Sequence, residues 1–225
     1  MESWSPLFIS VKTASLSTLI TFFLGIIVAW RMGKSKYKAM LDTIFTLPMI
    51  LPPTVLGFFL LLILGRRGII GSILNKFDLN IIFSWSATVI ASIVVSFPLM
   101  YKTARGAMEQ IDINIINAAR TMGVSELKIF YKIILPLAWP GILAGIGLSF
   151  ARALGEFGAT LMIAGNIPGK TQTIPIAIYF AAEGGDMDLA MKWVFVVFII
   201  SLSTMFIMNY LSSYKKKSTL HGGIQ

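Results

Sequence analysis

Residues 107–136 read AMEQIDINIINAARTMGVSELKIFYKIILP, a patterned stretch set between two long apolar runs. It is too long for a simple connector. Asp112 suits a helix start, and Ile115, Ala119 and Met122 follow at helical spacing on one face. Gly123 is placed to end that helix in a left-handed turn. Ser125 suits a second start, after which Leu127, Phe130, Tyr131 and Ile134 form an apolar stripe, with Lys128 and Lys132 on the other side. Pro136 marks a turn into the next apolar run. The spacing predicts two short amphipathic helices at a membrane surface. They either lie on lipid or form a docking knob for a soluble partner, linked rigidly to a membrane helix.

Outward from this loop the chain is apolar. Of 225 residues 56% are hydrophobic and 13% charged, with a mean hydropathy of +0.80, whereas a soluble domain carries about 25% charged residues. Five runs, at about 13–30, 43–64, 81–100, 137–164 and 193–211, are long enough to cross about 30 Å of hydrocarbon. They must be helices, because open strands leave backbone groups unpaired in lipid. The second run holds Pro48, Pro52 and Pro53, which predict a kink. The stretch 173–182 is too short to cross and reads as an outer or re-entrant helix. Residues 1–214 read as a single all-α polytopic membrane domain, and 215–225 as a basic, disordered cytoplasmic tail.

The net charge of +9 belongs to short basic clusters between apolar runs, not to a nucleic-acid surface. Arg31, Lys34, Lys36 and Lys38 follow the first run, Lys102, Arg105, Arg120, Lys128 and Lys132 lie between the third and fourth, and Lys215, Lys216 and Lys217 follow the fifth. That alternation predicts an outside N-terminus and a cytoplasmic C-terminus. Trp4, Trp30, Trp139 and Trp193 fall near the ends of runs, as an interfacial belt requires. With no cysteine and a single histidine, His221 in the tail, a resident metal site or a cysteine nucleophile is not expected.

The stretch Asn117-Ala118-Ala119, then Gly123, then Ile133, Leu135 and Pro136 resembles the "EAA loop" of ABC importer permeases, with asparagine where the family usually has glutamate. Leu51-Pro52-Pro53-Thr54-Val55-Leu56-Gly57, Gly65-Arg66-Arg67-Gly68, Ser96-Phe97-Pro98-Leu99 and the run from Phe150 to Thr160 are similar to the molybdate-transport subgroup, with sulfate and thiosulfate permeases as near relatives. The resemblance implies a type I importer permease (MetI-like) in a prokaryotic cell membrane. It also implies a homodimer of this chain, two cytoplasmic ATPase subunits that use ATP and magnesium, and an extracytoplasmic molybdate-binding protein. Asn117, Ala118, Ala119, Gly123, Ile133, Leu135 and Pro136 would then couple to the ATPase. No cofactor is expected in this chain. Molybdate, tungstate and sulfate are not separated by the sequence.

Within the fourth run, Gly141, Gly145, Ser149 and Ala153 recur every four residues and predict a smooth packing face. Arg152 and Glu156, four apart, can pair. At that depth an ion pair either fixes helix register or lies beside a translocation path. Gly155 and Gly158 flank Phe157, and Arg152, Gly155, Glu156, Phe157 and Thr160 are the candidate gate residues. Arg66 and Arg67 read as solvated loop residues, or as a surface for an acidic partner or incoming oxyanions. Residues 165–171, GNIPGKT, imitate a phosphate-binding loop but have three residues between the glycines, one too few. The chain is thus expected to carry no ATPase site. A lipid-acting membrane enzyme would need clustered acids or a nucleophile that the runs lack, and a secondary transporter would leave the amphipathic loop unexplained.

Overall fold

The computed structural model describes residues 4–33 and 36–221, with side chains described through 208 and at 210. Lys34 and residues 222–225 of the expected tail lie outside the described residues. Among the described residues every regular element is helical: α1 Ser5–Met32, α2 Lys38–Ile50, α3 Pro53–Leu64, α4 Ile69–Asn75, α5 Trp85–Glu109, α6 Ile113–Thr121, α7 Glu126–Ile129, a π turn Phe130–Ile134, α8 Leu135–Leu154, α9 Gly158–Ala164, α10 Ile174–Glu183 and α11 Met187–His221. Among the described residues four helices are long and apolar enough to cross a membrane, and α2 with α3, bent by 111° at their break, make a fifth if the pair is one span.

Side-chain contacts fix the relative directions of these helices. At one end Trp4 meets Trp193 with ring centroids 6.0 Å apart, and the indole of Trp85 donates to the Thr13 hydroxyl at 2.9 Å. At the opposite end Lys38, just past α1, bonds Glu109 at the close of α5 at 2.7 Å. Helices α1, α5 and α11 therefore start together and run parallel. The chain must cross once between α1 and α5, through the broken α2–α3 pair, and once more through α8 before α11. With α2–α3 counted as one crossing, the two termini lie at opposite ends.

The break in the second crossing follows from its prolines. A residue before proline is pushed out of the helical region, and both Leu51 (ψ 141°) and Pro52 (ψ 137°) are extended. Pro53 then opens α3, where its missing N–H costs nothing. Pro48 stays inside α2, so the sharp bend comes from the Pro52-Pro53 pair alone.

The core of the bundle is a seam that the sequence reading missed. Thr13, Ser17 and Thr21 on α1 and Thr88, Ser92 and Ser96 on α5 are buried, with Ser17 donating to the Val89 carbonyl at 3.4 Å, while Ser10 accepts from the Ile174 N–H of α10 at 2.7 Å. Small residues let the backbones approach, and the hydroxyls satisfy one another or the preceding helical turn. Thr13 and Thr88 hydroxyls lie 3.0 Å apart, while Ser96 donates to the Ser92 carbonyl at 2.6 Å. The predicted glycine face of α8 packs on α5 as expected. A Cβ on Gly141 would stand 2.5 Å from that of Ala107, and the Ser149 hydroxyl reaches the Ser96 carbonyl at 3.5 Å.

Two expected continuities are corrected. The fourth run is not one helix, because α8 ends at Leu154 and α9 begins at Gly158. Pro136 does not mark a turn either: the helix is continuous from Glu126 to Leu154. The π turn accounts for this, since it widens the turn just ahead of Pro136, with the Leu135 N–H bonding the Phe130 carbonyl. Stretch 173–182 forms the short helix α10, packed through Ile174 and Ala177 against Trp193. The last helix continues past Tyr214, where disorder was expected, to His221.

Candidate functional site

The loop between α5 and α8 folds as the spacing predicts at its first half. The Asp112 carboxylate caps α6 by accepting from the Asn114 N–H at 2.9 Å. Gly123 has φ +77°. Its N–H bonds the Arg120 carbonyl at 2.9 Å, and the Val124 N–H bonds the Ala119 carbonyl at 3.1 Å. These two bonds make a Schellman motif, in which the glycine sits four residues after the residue whose carbonyl receives the longer bond. The spacing of Ala119 and Gly123 is therefore a geometric requirement of the turn.

The second half differs. Ser125 stands at the start of α7 but its side chain makes no capping bond. The buried residues are Ile129, Phe130 and Ile134, whereas Leu127 and Tyr131 of the expected stripe are 57% and 58% exposed. The π turn rotates the helical face, so Ile129 replaces Tyr131 at the core. On α6 Ala119 is buried and Ile116 packs partly buried against the core, whereas Ile113, Ile115 and Met122 are exposed. Asn117 and Ala118 lie on the outer side, Ile133 and Leu135 are half-buried, and Pro136 is exposed. Arg120 ties the loop together, donating to Glu126 at 2.6 Å and to the Asn117 side-chain oxygen at 3.1 Å. The hydrogen bond to Glu126 holds the Arg120 guanidinium above its ordinary pKa. An apolar, exposed surface thus sits on a stiff support.

Behind the loop lies a polar cluster that sequence spacing did not reveal. The Arg105 guanidinium, at the end of α5, donates to Asp42 at 2.6 Å, to the Tyr101 hydroxyl at 2.8 Å and to Glu109 at 3.0 Å. Tyr101 in turn donates to Asp42 at 3.0 Å. Helix α2 has no buried residue of its own, so this cluster, with Phe45 set edge-on against Phe97 and Tyr101, holds it to α5. Hydrogen bonds to charged groups contribute about 1.5–3 kcal/mol each when partly buried. Arg105→Gln is expected to remove roughly 2 kcal/mol and lower the melting temperature by about 4–8 °C; an unchanged melting curve would show that packing alone anchors α2.

The candidate gate residues meet at the α8–α9 break. Ser149 is level with Ser96, so Arg152, one turn on, is level with about Ser92, roughly 10 Å inward of Trp85 at 1.5 Å per residue. Arg152 Nη2 lies 2.8 Å from Glu156 Oε2, with side-chain exposures of 32% and 1%. That contact is an ion pair whose N–H is not aligned with Oε2, which has no hydrogen bond. Glu156 Oε1 instead accepts the Ala159 N–H at 2.8 Å. Glu156 is therefore not on the helix that carries Arg152: it stands in the break and caps α9. Gly155 is exposed, Phe157 is half-buried, and Thr160 is buried on α9. The Phe157 ring lies 5.1 Å from that of Tyr179. Arg152, Gly155 and Phe157 each keep accessible surface at the break, and Thr160 does not.

Arg66 and Arg67 are exposed in the turn after α3. The loop at 165–171 closes on itself: the Ile167 N–H bonds the Thr171 hydroxyl, and the Lys170, Thr171 and Gln172 N–H groups bond the Ile167 carbonyl. Those donors are turned inward, away from any phosphate.

Comparison with known proteins agrees with this architecture. The chain is 44% identical to the molybdenum transport system permease protein ModB of Escherichia coli (strain K12), over 83% of this chain and 84% of that protein. It is 40% identical to ModB of Haemophilus influenzae over 98% of both. It is 34% identical to the "Probable sulfate transport system permease protein cysT" of Chlorella vulgaris, over 91% of this chain and 78% of that one. Among solved structures, a bacterial ABC transporter for import of the acidic polysaccharide alginate superposes with a TM-score of 0.76 at 16% identity, covering 95% of this chain and 80% of that one. The MetNI methionine ABC transporter in an inward-facing conformation gives 0.73 at 16% identity, covering 93% and 94%. Residues 21–216 match the family described as binding-protein-dependent transport system inner membrane components, and the chain, with five crossings and a capped amphipathic loop, belongs to that family.

Proposed function

We propose that this chain is the permease subunit of an ATP-driven importer of molybdate, coupled to a separate ATPase through α6 and the start of α7. The observation that carries the coupling is the exposed apolar surface of Ile113, Ile115, Met122 and Leu127 on a loop whose turns are closed by Asp112 and Gly123. Such a surface needs a groove, and the helix continuous from Glu126 to Leu154 carries any push on it directly to Arg152 and the α8–α9 break. Arg31, Lys38, Lys102, Arg105, Arg120, Lys128 and Lys132 all belong to the end that bears this loop, which supports a cytoplasmic placement of that end. Asn117 in place of glutamate gives up a charge at the docking surface and keeps an amide already held by Arg120.

Molybdate as substrate is supported by the ModB relatives at 40% and 44% identity, against 34% for the sulfate relative. A homodimer of this chain, two ATPase subunits and an extracytoplasmic binding protein complete the assembly. The test is reconstitution of that assembly in vesicles. ATP-dependent molybdate accumulation that needs the binding protein and survives a tenfold excess of sulfate is expected. Accumulation of sulfate in preference, or none without further components, would sink the assignment.

Arg152, Gly155, Glu156 and Phe157 form the gate region in this reading, and Thr160, buried on α9, is left out of it. Phe157 seals it against Tyr179, so Phe157→Ala should leave ATPase docking intact and change uptake or basal leak about threefold or more. Unaltered uptake and leak would remove Phe157 from the gate.

A further inference from the structure

The ion pair at the α8–α9 break is asymmetric, and the asymmetry bears on how an anion passes. Glu156 is 1% exposed and its carboxylate is anchored by the Ala159 N–H at 2.8 Å. Arg152 is 32% exposed, and its contact with Glu156 Oε2 at 2.8 Å has no aligned hydrogen bond. The carboxylate is therefore fixed by α9, while the guanidinium is held by charge alone and keeps donors on its accessible side. Its depth is that of about Ser92 on α5, well inside the crossing. An accessible guanidinium at such depth faces water or protein, because lipid cannot solvate it. The exposed Gly155 beside it leaves the approach open.

We infer that Arg152 is the residue that contacts the passing tetrahedral oxyanion, and that Glu156 is its resident counter-anion, competing with the substrate for the same guanidinium. This deepens the permease reading and rests on it. An unpaired arginine in a low-dielectric site would hold a dianion firmly and slow its exit. A carboxylate fixed within reach cancels the charge when the path is empty and recaptures the guanidinium when the substrate leaves. The pore is then a low-affinity path, with retention left to a partner protein.

The test uses the purified permease–ATPase complex with radiolabelled molybdate as the probe, in lipid nanodiscs without binding protein for equilibrium binding and in vesicles with binding protein for uptake. Glu156→Gln keeps an oxygen acceptor for the Ala159 N–H and removes only the charge. Wild-type complex should show no saturable binding at micromolar molybdate. Glu156→Gln should gain saturable binding at least tenfold tighter, displaced by sulfate, and should lower maximal uptake at least fivefold with ATPase assembly unchanged. Glu156→Gln binding no more molybdate than wild type, in a complex of unchanged melting temperature, would overturn the inference. If that variant does not assemble, the uncharged pair Arg152→Gln/Glu156→Gln answers instead, because it leaves no lone buried charge. Uptake reduced at least tenfold with assembly and basal ATP hydrolysis kept supports the assignment, and wild-type uptake overturns it. Wild-type complex that fails to import molybdate would sink the permease reading separately, before either variant is compared.

Discussion

Gly123→Val is expected to lower binding-protein-dependent molybdate uptake about thirtyfold. The glycine is at φ +77°, and a Cβ built there meets no atom within 4 Å, so the penalty is conformational and not steric crowding. A non-glycine residue in the left-handed region costs of order 1–3 kcal/mol, with β-branched residues at the upper end. Taking about 2 kcal/mol, the equilibrium constant for closing the loop by the Schellman bonds from Gly123 and Val124 falls roughly thirtyfold, and uptake follows it once the open loop is the major form. The alternative loop geometry moves Met122 away from Leu127 and breaks up the docking surface. Gly123→Asn should retain far more uptake, because asparagine tolerates the same backbone region. The measurement is ATP-dependent uptake together with co-purification of the ATPase. Equal uptake by the valine and asparagine variants would mean that the turn does not set the docking surface.

Gly57→Val is expected to destabilise the membrane domain strongly, by forcing α3 and α9 apart. A Cβ at Gly57 would stand 2.7 Å from Met162 Cβ and 2.8 Å from Ala159 Cα. The second is backbone in α9 and cannot rotate away. Overpacking of a filled site costs about 1–3 kcal/mol, and the branched side chain adds volume that α3 and α9 can accept only by parting. That displacement reaches the gate, because Ala159 is the residue whose N–H holds Glu156. Loss of folded protein after detergent extraction, or a melting temperature lowered by about 5–10 °C, is the expected result. Gly57→Ala places the same Cβ with no branches and should be milder, through a small shift of the helices. A valine variant with wild-type melting would show that α3 and α9 separate freely.

The effect of Gly57 on Glu156 illustrates where local pattern stops being informative. Asp112, Ala119 and Gly123 form their turn from contacts within a dozen residues, so their spacing alone predicts α6 and its end. The five crossings and the relative placement of the termini likewise follow from apolar length and loop charge. The break at Gly155–Phe157 does not. Four-residue spacing of Arg152 and Glu156 reads as one helix face, yet the chain leaves the helix between them, because Gly158 must come close against Pro53 and Thr54 of α3. No local pattern within 137–164 contains that partner.

The same distinction separates Asp42 from the rest of its crossing. Taken by itself it is a lone acid ahead of an apolar run; 63 residues later Arg105 makes it the anchor of α2. The order of residues determined which segments become helices, how many times the chain crosses, and the closed turn that presents the docking loop, since each depends on bonds or transfer energies of neighbouring residues. Tertiary packing alone decided the broken fourth crossing, the hydroxyl seam between α1 and α5 and the Asp42–Arg105 cluster. These arise from groups distant in the chain that share space, and their geometry is set only when the helices have met.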